Sequence, residues 1–404
     1  MSALCCPACG SRRGADADVL RCGCGELLEL EHPAPDAPRE AFARPAAPSG
    51  VWRFAEVVDP GLAPEERVTL AEGNTPLLCS AALSRFAGLE RLALKHEGRN
   101  PTGSFKDRGM TVAVGRARRA GARLLACAST GNTAASLAAY AGAAGLPCVV
   151  LAPERGTALG KLSQAIAHGA RTLLLRGDFD EGMRLVLAAA EEGRVALVNS
   201  ANPWRLEGQK TIVLELLAQR GWEPPDWIVF PAGNLGNCAA FGKALREARA
   251  FGWIDRVPRL AAVQAEGAAP FAAAFGRGFD RLEPVRAETF ASAIRIGDPV
   301  SYRRAVRSLR ETGGVALSVS DDEIRAAKRA VDRAGIGAEP GSCAAVAGLR
   351  ALRAAGTVGP DDSAVCVLTG HVLKDPDANL EAAAPEVLDP EAVGAAIGSP
   401  APRG

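Results

Sequence analysis

A lysine in the first turn of a predicted helix is a candidate for covalent chemistry. Residues 100–109 read Asn-Pro-Thr-Gly-Ser-Phe-Lys-Asp-Arg-Gly and follow the apolar run Leu92–Leu94. Ser104 and Asp107 have the spacing of a capping box, so a helix is predicted to begin just after Ser104. The positive end of the helix dipole would disfavour the ammonium form of Lys106 and lower its pKa. The segment therefore fits a nucleophilic amine, and it fits a surface lysine at an ordinary helix start equally well.

A second turn has the composition of an anion site. It lies between the predicted strand Arg123–Cys127 and an alanine-rich helix. Small hydroxylated residues and a glycine at a helix N-terminus leave backbone N–H groups free to bind an anion such as a carboxylate. An ordinary N-cap would need one such residue, so the run favours a binding loop. The residues of this turn are Ser129, Thr130, Gly131, Asn132 and Thr133.

A third turn is rich in glycine and follows the predicted strand Trp227–Phe230. Glycine lets the backbone approach a phosphate closely, and asparagine tolerates positive φ. The turn lacks the ending of a Walker loop and the G-x-G-x-x-G spacing, so nucleotide and dinucleotide sites are disfavoured. Alone, the turn predicts little more than a bend. Its candidate phosphate-binding residues are Gly233, Asn234, Leu235, Gly236 and Asn237.

Polar residues also follow two other predicted strands. Asn199, Ser200 and Arg205 come after Val195–Val198, and an arginine there could bind an oxyanion through two hydrogen bonds. A capped helix start with its arginine in solvent is the competing interpretation. Thr369 and His371 come after Ala364–Leu368. The threonine hydroxyl could contact a ring nitrogen, and the histidine fits a structural role as well as a functional one.

These turns connect strands that alternate with helices. Alternation of this kind predicts an α/β fold with parallel sheets covered on both faces, and ligands at the carboxyl ends of the strands. Predicted helices are Thr133–Ala144, Leu206–Arg220 and Asp322–Ala334. Predicted strands are Arg123–Cys127, Cys148–Leu151, Thr172–Leu175, Val195–Val198, Trp227–Phe230, Leu260–Val263, Val315–Val319 and Ala364–Leu368.

In this order, the turns resemble those of the fold-type II enzymes that use pyridoxal 5′-phosphate (PLP), and most of all the threonine synthase family. The segment 97–109 looks like that family's lysine motif. Serine and threonine dehydratases usually have Ile or Leu after the lysine, and cysteine synthases usually have Val before it. This chain has Phe105 and Asp107, which favours the threonine synthases. The resemblance extends from about Glu72 to Asp375.

The resemblance implies a role for each turn. Lys106 would join covalently to PLP, and Asn132 would donate a hydrogen bond to the cofactor's 3′-oxygen. Thr369 would face the pyridine nitrogen. The substrate carboxylate would bind in the turn Ser129–Thr133, and the PLP phosphate in the turn Gly233–Asn237. The substrate's own phosphate would be held by Asn199, Ser200 and Arg205.

The resemblance also implies a reaction and an architecture. Family members convert O-phospho-L-homoserine and water into L-threonine and phosphate, in threonine biosynthesis, by PLP-dependent β,γ-elimination and replacement. The expected fold is tryptophan synthase β-like, with PLP between a large domain (51–95 and 211–384) and a small one (96–210). A homodimer and a closing lid or domain are expected. A linker is predicted over 32–50, and a flexible tail over 385–404.

Cysteines are concentrated in the first 31 residues, which form a separate predicted unit. A C-x2-C pair and a C-x-C pair on glycine-containing turns have the pattern of a zinc ribbon with four thiolate ligands. Cys6, Cys9, Cys22 and Cys24 are the predicted ligands, with Cys5 as a spare and loss of the metal as the alternative. So short a unit would fold poorly without metal. It could dock on the catalytic domains or mediate assembly.

Composition narrows the remaining functions. The 47 Lys and Arg residues nearly balance the 46 Asp and Glu residues, so nucleic acid is not an expected partner. No signal-like start and no run of about eighteen apolar residues is present, so a cytoplasmic protein without a membrane span is expected. Rival functions are a threonine or serine dehydratase, a cysteate synthase, and a non-catalytic PLP-binding protein that acts through its zinc ribbon.

Overall fold

The computed structural model describes residues 2–16, 19–42, 49–154, 159–176, 179–380 and 388–389. The linker predicted over 32–50 and the tail predicted over 385–404 lie partly outside these residues. None of the described helices is both long enough and apolar enough to span a bilayer.

The strands form three sheets, with the orders β2-β1-β3, β12-β11-β10-β13-β5-β4 and β8-β7-β6-β9. Their bounds are β1 (Ala3–Cys5), β2 (Arg12–Gly14), β3 (Glu29–Glu31), β4 (Leu77–Leu78), β5 (Arg91–His96), β6 (Leu125–Ala128), β7 (Cys148–Pro153), β8 (Arg171–Leu175), β9 (Ala196–Leu197), β10 (Trp227–Pro231), β11 (Arg259–Ala265), β12 (Val315–Val319) and β13 (Ser363–Leu368).

The helices lie mostly between consecutive parallel strands. Their bounds are α1 (Ala55–Val58), α2 (Ala81–Ala87), α3 (Lys106–Arg119), α4 (Asn132–Ala143), α5 (Leu159–Ala167), α6 (Phe179–Glu191), α7 (Pro203–Gln219), α8 (Gly236–Ala250), α9 (Pro270–Gly276), α10 (Tyr302–Thr312), α11 (Asp321–Arg333), α12 (Pro340–Ala354) and α13 (Pro376–Leu380). Each strand and helix predicted from the sequence has a counterpart here, with ends that differ by a few residues.

The six-stranded sheet is parallel except for β4, which pairs antiparallel to β5. Its central strand β10 is apolar throughout because helices cover both faces. Ile228 and Phe230 pack into one hydrophobic core, whereas Trp227 and Val229 pack into another. This alternation follows from the pleat of a strand, in which successive side chains point to opposite faces.

The four-stranded sheet is parallel and carries the strands between residues 125 and 197. Leu125 and Cys127 of β6 pack with α4 in the larger core, and Ala126 and Ala128 pack with Val186 of α6 on the other face. The two larger sheets thus draw on different parts of the chain. The domain boundaries at 95/96 and 210/211 stay a prediction.

The start of α3 differs from the predicted capping box. The helix begins at Lys106, and its N-cap residue Phe105 makes no side-chain cap. The Asp107 carboxylate does not reach back to Ser104. It accepts hydrogen bonds from the Thr102 backbone N–H at 2.7 Å and from the Ser136 hydroxyl at 2.6 Å. The Asp107 carboxylate therefore binds groups outside its own helix instead of forming the predicted cap with Ser104.

The amino-terminal unit docks on helices α7, α8 and α10. Its Leu4, Leu28 and Leu30 are part of the larger hydrophobic core. Lys243 of α8 donates a hydrogen bond to the Leu30 carbonyl, and Arg304 of α10 donates to the Leu28 carbonyl. The sequence left two roles open for this unit, docking on the catalytic domains and mediating assembly. The structure shows that it docks on the rest of its own chain.

Candidate active site

One cavity of about 2100 Å³ brings the predicted turns together. Its lining follows the carboxyl ends of β6 and β9 in the four-stranded sheet and of β10 and β13 in the six-stranded sheet, where parallel sheets commonly bind ligands. The predicted residues in the lining are Lys106, Ser129, Thr130, Gly131, Asn132, Thr133, Asn199, Ser200, Arg205, Gly233, Asn234, Leu235, Gly236, Asn237 and Thr369. His371 is not among the lining residues.

Lys106 presents an amine that is easily deprotonated. Burial and, to a smaller extent, the positive charge of Arg205 lower the pKa of Lys106 to about 7, even though the Glu339 carboxylate opposes them. Its Nζ atom lies 4.3 Å from the centroid of the Phe105 ring. The sequence suggested the helix dipole as the cause, and the structure adds desolvation of the amine as the first cause. An amine of this kind is a nucleophile near neutral pH.

The turn before α4 leaves helix N–H groups available. The Gly131 N–H donates to the Ser129 Oγ at 3.2 Å, which shapes the turn. Helix α4 then begins at Asn132 with no side-chain cap. The first N–H groups of a helix have no partner within the helix, so this uncapped end can bind a carboxylate.

The glycine turn before α8 is a second uncapped helix start. Leu235 adopts the left-handed conformation with φ 62°, which is uncommon for leucine, and α8 follows without a side-chain cap. Asn234 fixes the turn because its Nδ2 donates to the Ser200 Oγ at 3.0 Å and its Oδ1 accepts from the Val300 N–H at 3.1 Å. Backbone N–H groups held in this way can bind a phosphate.

Arg205 is a buried cation whose Nε and Nη2 atoms have no hydrogen-bond partner among the described residues. Its relative exposure is 1%. Burial lowers its pKa to about 10. Buried donors are nearly always paired in folded proteins, so an unpaired guanidinium that lines a cavity indicates an anionic ligand. Asn199, which was predicted to bind the same anion, already has a hydrogen-bond partner, because its Oδ1 accepts from the Ala201 N–H at 2.9 Å.

Thr369 belongs to a pair of hydroxyl groups that the sequence did not reveal. Its Oγ1 lies 3.0 Å from the Oγ of Ser342, in the first turn of α12. Ser342 Oγ also accepts from the Gly370 N–H at 2.8 Å. The available signal was Pro340, a residue common in the first turn of a helix, with polar residues on either side of it. By contrast, His371 caps a short helical turn, where its Nδ1 accepts from the Leu373 N–H at 3.3 Å.

The four predicted metal ligands converge in the amino-terminal unit. The Sγ atoms of Cys6 and Cys24 are 3.5 Å apart, and so are those of Cys9 and Cys22. All four sulfur atoms lie within 4.8 Å of one another. Cys5 is not in this group, and its thiol points to the Ala3 carbonyl at 4.0 Å.

Comparison with known proteins identifies the family. A family model described as pyridoxal-phosphate dependent enzyme matches residues 68–370. A threonine synthase from Methanosarcina acetivorans is 44% identical over 390 residues, which cover 95% of this chain and 95% of the relative. A threonine synthase from Mycobacterium leprae is 47% identical over 317 residues, which cover 78% of this chain and 85% of the relative. This chain belongs to the threonine synthase family of PLP-dependent enzymes.

The fold of this threonine synthase family member agrees with a solved relative. The structure of threonine synthase from Escherichia coli is similar with a TM-score of 0.70 at 19% identity, over 93% of this chain and 89% of that one. The predicted fold class, the PLP cofactor and the assignment to the PLP-dependent lyases are confirmed.

PLP fits the residues of the cavity. It needs an amine, a phosphate site and a group at its ring nitrogen. The cavity offers the low-pKa amine of Lys106, the uncapped start of α8 and the Thr369 hydroxyl. The unpaired Arg205 guanidinium remains for a second anion.

Proposed function

We propose that this threonine synthase family member converts O-phospho-L-homoserine and water into L-threonine and phosphate by β,γ-elimination and replacement. The unpaired, buried Arg205 guanidinium carries the proposal, because it supplies a second anion site in the cavity that holds Lys106 and the glycine turn. A substrate with its own phosphate needs such a site in addition to the cofactor's. The names of the relatives described above support the same activity.

The residues divide the work as the family pattern implies. The turn Ser129–Thr133 binds the substrate carboxylate, and Arg205, Asn199 and Ser200 bind its phosphate. Gly233–Asn237 bind the cofactor phosphate through backbone N–H groups. When bound, PLP supplies an electron sink that stabilises negative charge at carbons next to the amine.

Lys106 moves the protons. Because its pKa is about 7, the free amine can accept a proton from the substrate carbon and return it near neutral pH. Asn132 donates to the 3′-oxygen of the cofactor, and Thr369 contacts the ring nitrogen.

The cysteine cluster is proposed to hold a structural zinc ion through Cys6, Cys9, Cys22 and Cys24. Zn–S bonds of about 2.3 Å in a tetrahedron place the sulfur atoms about 3.8 Å apart. The observed separations of 3.5 Å within each of two pairs support this geometry. We expect one zinc per chain by elemental analysis of purified protein, and a chain free of metal would contradict the proposal.

Assembly and location follow from the family resemblance and the composition. We propose a homodimer in the cytoplasm, with no role for nucleic acid. Sedimentation equilibrium on the purified protein tests the dimer, since a monomer at all concentrations would contradict it.

The decisive experiment is phosphate release from O-phospho-L-homoserine by the purified PLP-loaded protein, with L-threonine identified by chromatography. Wild type should form both products, and Lys106→Ala should form neither, because the proton-transferring amine is lost. Arg303→Ala, which changes a cation that is 74% exposed and lies outside the cavity lining, is the control. Formation of a keto acid from threonine or serine, or turnover of phosphoserine with sulfite, would instead support one of the rival lyases.

A further inference from the structure

The site contains a buried carboxylate to which the proposed reaction gives no task. Glu339 directly precedes α12, lines the cavity and has a relative exposure of 3%. Its backbone N–H donates to the Gly370 carbonyl at 3.1 Å, so its main chain is anchored beside Thr369. Burying a carboxyl group is destabilising unless hydrogen bonds or charges compensate for the lost contact with water.

The Glu339 side chain has one neutral hydrogen-bond partner, Asn132. The Asn132 Nδ2 atom lies 3.1 Å from Glu339 Oε1 and 3.1 Å from Oε2. Among the described residues, the Asn132 side chain makes no other hydrogen bond. Since an ionised carboxylate only accepts hydrogen bonds, it fixes which end of the amide faces it.

The carboxylate is also held in place from behind. A Cβ atom at Gly370 would overlap the Glu339 carboxylate, so the group lies directly against the Gly370 backbone. Burial raises the pKa of Glu339 and Asp375 adds to the rise, while the hydrogen bond from Asn132 and the charges of Lys374 and Lys106 oppose it. Packing against Gly370 therefore fixes the position of the carboxyl group beside Asn132, and Asn132 and the two lysines favour its ionised form, which accepts hydrogen bonds.

We propose that Glu339 is a positioning residue that orients the Asn132 amide, so that an N–H group rather than the carbonyl oxygen faces the cofactor's 3′-oxygen. An amide nitrogen carries two hydrogens. One points to Glu339, and the other remains for the cofactor. The inference rests on the role proposed for Asn132, and it adds the residue that makes Asn132 a donor.

The test is a double-mutant cycle on cofactor affinity, measured by titrating the apoprotein with PLP. Glu339→Gln keeps the size of the side chain, but its amide can present either end to Asn132. We expect Glu339→Gln and Asn132→Ala each to weaken PLP binding about tenfold, the effect of one hydrogen bond to a charged group. The double variant should be no weaker than either single variant, because both changes remove the same hydrogen bond to the cofactor.

A spectroscopic signature separates positioning from a purely structural role. The absorption maximum of the bound cofactor should shift equally in Glu339→Gln and Asn132→Ala, since both lose the donor at the 3′-oxygen. Glu339→Asp, whose shorter side chain keeps the charge but withdraws it from Asn132, should behave like Glu339→Gln. It also provides the test if Glu339→Gln does not fold.

Two results would overturn the proposal: additive losses of PLP affinity in the double variant, or Glu339 variants with the wild-type affinity and spectrum. The readouts need only PLP. A protein that shows the expected coupling but releases no phosphate from O-phospho-L-homoserine would contradict the proposed function and leave the role of Glu339 standing.

Discussion

The two proposed phosphate sites of the cavity are built in opposite ways. The glycine turn before α8 offers backbone N–H groups, and its side chains are tied into the protein through Asn234. The other site offers the guanidinium of Arg205, which is buried and has unpaired Nε and Nη2 atoms. The first site is neutral and already shaped. The second is a desolvated charge that becomes favourable only when an anion arrives.

The difference suits ligands with different residence times. A site made of backbone dipoles costs little to leave empty and suits a cofactor that stays bound. An unpaired buried cation destabilises the free protein and gains most when its counter-ion enters, as suits a substrate that comes and goes. Binding of the cofactor and binding of the substrate can therefore be weakened separately.

The largest expected effect is at Arg205. Arg205→Met removes the charge at similar volume, so kcat/KM for O-phospho-L-homoserine should fall about a thousandfold, from the loss of two charged hydrogen bonds of about 2 kcal/mol each. PLP affinity should be unchanged when it is measured well above pH 7, where Lys106 is mostly neutral in both proteins. The free energy of unfolding should rise by about 1–3 kcal/mol, because the variant no longer buries an unpaired charge. Steady-state kinetics, PLP titration and urea unfolding measure these three quantities.

The control for this change is Arg303→Met, since Arg303 is 74% exposed and lies outside the cavity lining. It should leave kcat/KM unchanged. If Arg205→Met lost PLP affinity by the same factor as kcat/KM, Arg205 would bind the cofactor as well as the substrate, and the proposed division into two sites would be contradicted.

The next largest effect is at the glycine turn. A Cβ atom at Gly233 would lie 3.2 Å from the Ile294 Cα atom, so Gly233→Val forces backbone apart at the proposed cofactor phosphate site. We expect PLP affinity to fall about ten- to a hundredfold by titration. At saturating PLP, the KM for the substrate should stay near its wild-type value. Gly276→Ala is the matched control, because nothing lies within 4 Å of a Cβ atom there.

The smallest expected effect is on the pH dependence of PLP capture by Lys106. The lowered pKa of about 7 means that the amine is mostly neutral above neutral pH and mostly charged below it. The rate of PLP capture by the apoprotein should therefore rise with pH, reach half its maximum near pH 7 and then level off. An ordinary lysine would continue to gain rate up to about pH 10.

Arg205→Met should move this midpoint upward, because removing a like charge favours the ammonium form of Lys106. Stopped-flow absorbance across the pH range measures both midpoints. An unchanged midpoint in the variant would mean that the charge of Arg205 does not affect the pKa of Lys106.

Local sequence was enough to find residues that follow strands. Ser129–Thr133, Gly233–Asn237 and Thr369 come directly after apolar runs, and parallel strands bring their carboxyl ends to one edge. Glu339 and Ser342 were missed because their meaning depends on Asn132 and Thr369, which are distant in sequence and adjacent only in space. The capping box at Ser104 was wrong for the same reason, since Thr102 and Ser136 bind the Asp107 carboxylate instead.

The sequence by itself determined the α/β fold class, the order of the turns and the paired cysteines, because each rests on periodicity or spacing along the chain. The role predicted for Lys106 came from the family resemblance, since the segment alone also fitted a surface lysine. Only the tertiary structure decided the state of the charges. Burial is the largest cause of the low pKa of Lys106. Burial of unpaired guanidinium nitrogens makes Arg205 a candidate anion site, and the approach of α12 to Asn132 gives Glu339 its contact. Desolvation and contacts between distant segments exist only once the chain is folded.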